Sequence, residues 1–184
     1  SGEEYDLGLI WECDPAGVDL AQSRPALGTF KHEAATVNPA TNIFYLTEDE
    51  GDGRFYRFVP DNPNVGGVPD YSSGRLQAMQ VMATQEEVDM PGTFGPKPVE
   101  WLDIPNPNPV LVPEAPQEMQ PQTPTRLQVP ESTAFRGGEG IWFSRGIVFF
   151  TTKGDRRVWA HDPVASTVEV IYDDFGIENP ILDS

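Results

Sequence analysis

The chain has 184 residues, with 12 Lys+Arg against 29 Asp+Glu for a formal net charge of -17. That length suits one domain that folds without disulfide staples, and the lone cysteine, Cys13, excludes both a disulfide within the chain and a zinc site built on several thiolates. So acidic a surface repels phosphate backbones and anionic lipid, which argues against nucleic acid and membrane partners; no apolar run approaches the roughly 20 residues of a spanning helix, and Ser1 opens the chain without an apolar leader.

In chain order, short stretches rich in β-branched and aromatic residues predict strands at Leu7 to Cys13, Ala34 to Asn38, Ile43 to Glu48, Arg54 to Val59 and Arg75 to Met82. Gln85 to Asp89 offers one turn of helix. Prolines then crowd the segment from Pro105 to Pro130, which can be neither helix nor central strand, so 103–131 is read as a long extended loop. Further strands follow at Gly140 to Phe143, Ile147 to Thr152, Arg157 to His161 and Thr167 to Tyr172. Turn sequences such as Asn38-Pro39, Gly51-Asp52-Gly53, Gly154-Asp155 and Asp162-Pro163 separate them at the spacing of an all-β sandwich, barrel or propeller.

An internal repeat chooses among these. His32-Glu33-Ala34, the strand ending Thr47-Glu48, Gly51-Asp52 and the aromatic strand closed by Pro60 match Gly138-Glu139-Gly140, the strand ending Thr151-Thr152, Gly154-Asp155 and the strand closed by Pro163. A third partial copy, Leu9 to Pro15, matches the last of these strands. Repetition of a three- to four-strand unit is the signature of β-propeller blades. The expected architecture is one all-β partial propeller over 1–184, about two full blades plus part of another, with the proline-rich loop inserted.

The strings Phe30 to Pro60 and Gly138 to Pro163, together with the tail Ile171 to Ser184, resemble the PhoX-type alkaline phosphatases, a bacterial family of calcium- and iron-dependent phosphomonoesterases built on a propeller. The resemblance implies hydrolysis of a phosphomonoester with Ca2+ and Fe3+ as metals, and a periplasmic or extracellular setting. It implies that Glu33 and Glu139, at equivalent positions of the repeat, are metal ligands, since a carboxylate offers two oxygens to hard cations. Arg136 and Lys153 are the candidate catalytic residues, as cations that would bind the substrate phosphate; Arg136 stands one residue displaced from the family's arginine, in Arg136-Gly137-Gly138-Glu139. His32, beside Glu33, is the candidate substrate-binding residue. The family's cysteine motif has no counterpart, and Cys13 lies in a strand-like context instead.

The densest acidic cluster is Glu48, Asp49, Glu50 and Asp52, of which Glu48 and Asp49 join the candidate metal ligands; a solvated turn and a calcium site are both open readings of it. The upstream and downstream blades of the family are not matched, so the chain reads as a central fragment with weak or no activity alone. The alternative is a non-catalytic binding or assembly module that pairs with another copy, or with the missing blades, through open sheet edges.

Overall fold

A computed structural model describes residues 8–64, 67–92, 94–112 and 115–174; the tail from residue 175 lies outside it. Among the described residues nine strands form one antiparallel sheet, in the order β3 (His32–Asn38), β4 (Ile43–Glu48), β5 (Phe55–Asn62), β6 (Asp70–Val81), β7 (Phe94–Asp103), β11 (Thr167–Asp173), β10 (Arg157–Asp162), β9 (Ile147–Thr152) and β8 (Gly138–Ser144), and a separate two-stranded ribbon pairs β1 (Trp11–Glu12) with β2 (Gln22–Ser23). The larger sheet contains two four-stranded meanders. The first blade is β3 (His32–Asn38), β4 (Ile43–Glu48), β5 (Phe55–Asn62) and β6 (Asp70–Val81); the second is β8 (Gly138–Ser144), β9 (Ile147–Thr152), β10 (Arg157–Asp162) and β11 (Thr167–Asp173). Their inner strands β3 and β8 lie side by side.

The repeat is visible in the register. His32 pairs with Glu48 as Gly138 pairs with Thr152, and in each blade the next two residues of the inner strand bulge opposite one threonine, Thr47 or Thr151. The first turns match as well: Asp49 N donates to Lys31 O at 2.9 Å, and Lys153 N donates to Gly137 O at 2.9 Å. By this register Glu33 corresponds to Glu139, Glu48 to Thr152, Asp49 to Lys153, Arg54 to Arg157 and Tyr56 to Trp159.

Strand alternation sends side chains to opposite faces of each blade and so builds two cores. Between the blades, Tyr45, Phe55, Met79 and Val81 of the first meet Val148, Phe150, Trp159 and Val170 of the second. Phe55 stacks on Phe150 at 4.1 Å between ring centroids, and burying each such ring contributes about 2 kcal/mol. The other face of the first blade, with Leu46, Tyr56, Phe58 and Leu76, is covered by Leu27 and Phe30 from the amino-terminal segment and by Ile104 and Val129 from the proline-rich loop.

One strand joins those expected and one is shortened. Phe94–Asp103 forms a strand, β7, despite Pro96 and Pro98, because the strand changes partners at that point: Phe94 to Pro98 face β11 and Val99 to Asp103 face β6. The expected strand over Leu7 to Cys13 shrinks to β1, which pairs with β2 apart from both blades; Leu7 lies outside the described residues. The single helical turn, α1 (Gln85–Asp89), forms behind a Thr84–Glu87 capping box. In the proline-rich segment, short 3-10 turns form at Gln117–Met119 and Thr125–Leu127.

Candidate functional site

Glu33 and Glu139 each occupy the first position of a β-bulge at the start of an inner strand. Bulges re-aim side chains and are common beside active sites. The threonine opposite each bulge fills the gap: Ala34 N donates to Thr47 Oγ1 at 3.1 Å, and Thr151 Oγ1 donates to Gly140 O at 3.3 Å. Thr47 also ties the blades together by donating to Glu139 O across the seam at 2.6 Å.

Around these bulges the turn from Glu48 to Gly53 meets the segment Arg136–Gly138. Gly137 N donates to Glu50 O at 2.8 Å, Phe135 N to Gly53 O at 2.8 Å, and Gly154 N to Arg136 O at 2.8 Å. Gly138 belongs here because a Cβ would stand 3.0 Å from both Glu48 O and Thr47 Cβ.

Bases from several elements reach this acidic turn. Lys153 Nζ lies 2.6 Å from Asp49 Oδ1 and 2.8 Å from Glu139 Oε1, and these contacts raise its pKa. Lys31 pairs with Glu50 at 2.8 Å. Arg126, from the proline-rich loop, pairs with Asp52 at 2.9 Å and approaches Glu48 Oε1 at 3.9 Å. Arg136 is held by Asp89 of α1 at 2.9 Å and remains half exposed. Arg126 is absent from the sequence reading; the one base in a loop otherwise poor in charge was the available signal.

Glu48 behaves unlike its neighbours. Its side chain is 1% exposed, and its Oε2 accepts from Arg54 N at 3.0 Å and from the Tyr56 hydroxyl at 2.8 Å. Burial raises its pKa to about 7 against the pull of Tyr56 and the nearby guanidinium groups, so near neutral pH the acid and the carboxylate coexist. His32 is neutral at neutral pH: burial lowers its pKa to about 4, Nε2 faces Gly28 O at 3.0 Å, and its ring packs on Phe30 at 3.7 Å. Its contacts are with Gly28 and Phe30 rather than with the Glu33 carboxylate beside it.

Calcium and iron, the metals implied by the sequence resemblance, can be tested against this donor set. Glu48 points inward to Tyr56 and Arg54, Asp49 and Glu139 hold an ammonium, and Glu33 is exposed on its bulge. Cys13, the only thiol, is exposed just after β1. Among the described residues no three His, Cys, Asp or Glu side chains converge as metal ligands. Calcium takes six to eight oxygens, so the residues as arranged do not fit a metal centre.

A comparison with curated proteins finds no match. Among solved structures, PhoX from Pseudomonas fluorescens, in complex with the transition-state analogue vanadate, is similar with a TM-score of 0.59 at 15% identity. The match covers 89% of this chain and 34% of that one, and it agrees with the propeller blades described above. A family model described as alkaline phosphatase PhoX matches residues 2–173. The chain belongs to the PhoX alkaline phosphatase family.

Proposed function

We propose that this chain serves phosphomonoester hydrolysis, contributing two neighbouring blades to a PhoX-type phosphatase centre in a periplasmic or extracellular setting. The observation that supports this most is the glutamate at the first bulge position of each adjacent inner strand, Glu33 and Glu139, within a family match over residues 2–173. The chain spans 34% of the length of the solved PhoX chain, so the activity is assigned to it as a contribution.

Within that centre Glu33, exposed on its bulge, is proposed to face a metal completed by other blades, and Glu139, a candidate for the same role by the repeat, borders it while paired with Lys153. Calcium and iron(III) are both hard cations that take carboxylate oxygens, and two such residues alone would complete neither site. Arg136 is the better candidate for the substrate: Asp89 holds one edge of a half-exposed guanidinium, and the planar group can donate two parallel N–H groups to phosphate oxygens. Lys153 supplies a point charge nearby, and His32, neutral and packed on Phe30, supports the strand that carries Glu33.

The test is p-nitrophenyl phosphate hydrolysis in calcium buffer, with the shift in thermal midpoint on adding vanadate. The expected result is slow turnover above buffer and a vanadate shift, both reduced at least about tenfold in Arg136→Met. Turnover and shift both absent, or both unchanged in Arg136→Met, would overturn the assignment.

A second reading, an assembly module, is supported by the exposed face of the second blade, where Trp142 is 69% and Tyr172 50% exposed. Sedimentation across protein concentrations tests it: a monomer throughout removes it.

A further inference from the structure

The family reading leads one to look for a divalent cation among the seam carboxylates, and a cation of a different kind already lies there. Lys153 Nζ bridges Asp49 Oδ1 of the first blade and Glu139 Oε1 of the second at 2.6 and 2.8 Å. The lysine stem has a prepared seat. Gly137, at φ +69°, lies beneath it, and a Cβ there would stand 3.0 Å from Lys153 Cγ and 3.2 Å from Cε.

The blades also place opposite charges at equivalent positions. Asp49 and Lys153 follow the same strand end and make the same first backbone hydrogen bond, to Lys31 O and Gly137 O. Across the seam these two residues meet as an ion pair. The neighbouring carboxylates are served in the same way, Glu50 by Lys31 and Asp52 by Arg126.

We infer that the Lys153 ammonium takes the place of a divalent cation between Asp49 and Glu139, so that this chain neutralises its blade seam without metal. An ammonium has three donors, and two carboxylates plus solvent satisfy it; Ca2+ at the same point would lack most of its oxygens and would first have to displace the lysine. The inference rests on the family reading only for the expectation of a metal; the contact itself does not depend on it.

Thermal unfolding in EDTA and in millimolar CaCl2 decides the point, on wild type, Lys153→Gln, Lys153→Arg and the double variant Lys153→Gln/Asp49→Asn. Wild type and Lys153→Arg are expected to shift by less than about 1 °C between the two buffers. Lys153→Gln is expected to melt lower than wild type in both buffers, since the two carboxylates it leaves facing each other are too few to hold calcium, and the double variant, which also removes the Asp49 charge, is expected to recover part of that loss. A calcium shift above about 4 °C in wild type, or a Lys153→Gln that melts no lower than wild type in EDTA, would overturn the inference. If Lys153→Gln does not fold, wild type alone decides, since a calcium shift above about 4 °C would still refute metal independence. Absence of both p-nitrophenyl phosphate turnover and the vanadate shift would remove the phosphatase reading and leave these melting results standing.

Discussion

The two blades make the same contact with different chemistry. In the first, Tyr56 donates its hydroxyl to Glu48 at 2.8 Å; in the second, the equivalent Trp159 donates its indole N–H to Thr152 at 2.9 Å. The second blade moves its acid one turn outward to Asp155, which accepts from the Thr152 hydroxyl. The arginines that follow are equivalent and both buried, yet Arg54 binds Ser132 Oγ and turn carbonyls, whereas Arg157 binds the buried Asp173 at 2.7 Å and the Val88 and Met90 carbonyls at the end of α1. A repeated backbone therefore fixes where a polar contact sits, while its charge state differs between copies. At this contact the blade that carries the acidic turn keeps a titratable carboxyl group, and the other sets a buried ion pair beside a neutral hydroxyl.

The largest effect that tests this contrast is at the arginines. Arg157 and Asp173 are each 2% exposed as side chains, and breaking a buried pair from one side costs about 3–5 kcal/mol. Arg157→Met is expected to lose that much in denaturant unfolding. Arg54→Met is expected to lose about 1–3 kcal/mol, because Glu48 nearby can remain protonated. Equal losses would erase the distinction between the blades.

Next comes pH. With its pKa raised from 4.5 to about 7, Glu48 holds a proton in the folded state that the unfolded chain has released. Its stabilising contribution is complete below about pH 4.5 and is lost as pH rises through about 7, a span worth at most about 3 kcal/mol. His32 and His161, whose pKa values burial lowers to about 4, work in the opposite sense, losing stability as pH falls from 6.5 toward 4. Comparison with Glu48→Gln isolates the carboxyl group: the variant should gain on wild type between pH 5 and 8, as read by unfolding at each pH. A constant difference would mean that Glu48 is ionised throughout.

The sequence carried the repeat and with it both blades, because Glu33 and Glu139, Thr47 and Thr151, and the Gly-Asp turns recur in order. It also showed both bulge glutamates. It hid β7, since proline at 96 and 98 argues against a strand unless pairing changes sides there. Glu48 stands apart from its acidic neighbours in the sequence only as the end of a strand; its burial depends on Tyr56 across the hairpin and on a loop residue, Arg126, 78 positions away. Ion pairs across the seam are likewise products of how the blades stack rather than of spacing along either one.

A smaller effect belongs to the seam itself. Where the first blade has His32, the second has Gly138, whose missing Cβ leaves room for the backbone of Glu48. Gly138→Ala is expected to cost about 1–3 kcal/mol by thermal unfolding, whereas Gly140→Ala, where a Cβ would meet only Thr151 Oγ1 at 3.8 Å, should cost less than about 0.5 kcal/mol. A cost at both sites alike would point to strand propensity rather than close approach.

The smallest expected change in stability concerns the face that the blades do not share. Tyr45 lies on the face by which the first blade receives the second, and it is 1% exposed. Its equivalent, Phe149, lies on the corresponding face of the second blade, paired with Trp142 and Ala160, and that face is open enough to leave Trp142 69% exposed. The same register aligns Trp142 with Thr36. Trp142→Thr, which gives the second blade the first blade's residue, should therefore alter unfolding by less than about 0.5 kcal/mol, since little buried area is removed. Its effect should appear in sedimentation instead. A face that matches one already packed on a blade invites another sheet, so wild type should associate more readily than Trp142→Thr at high protein concentration. Identical sedimentation of the two proteins would show that the exposed tryptophan is compatible with a solvated face, and that the repeat extends to the backbone of the blades without extending to how their faces are used.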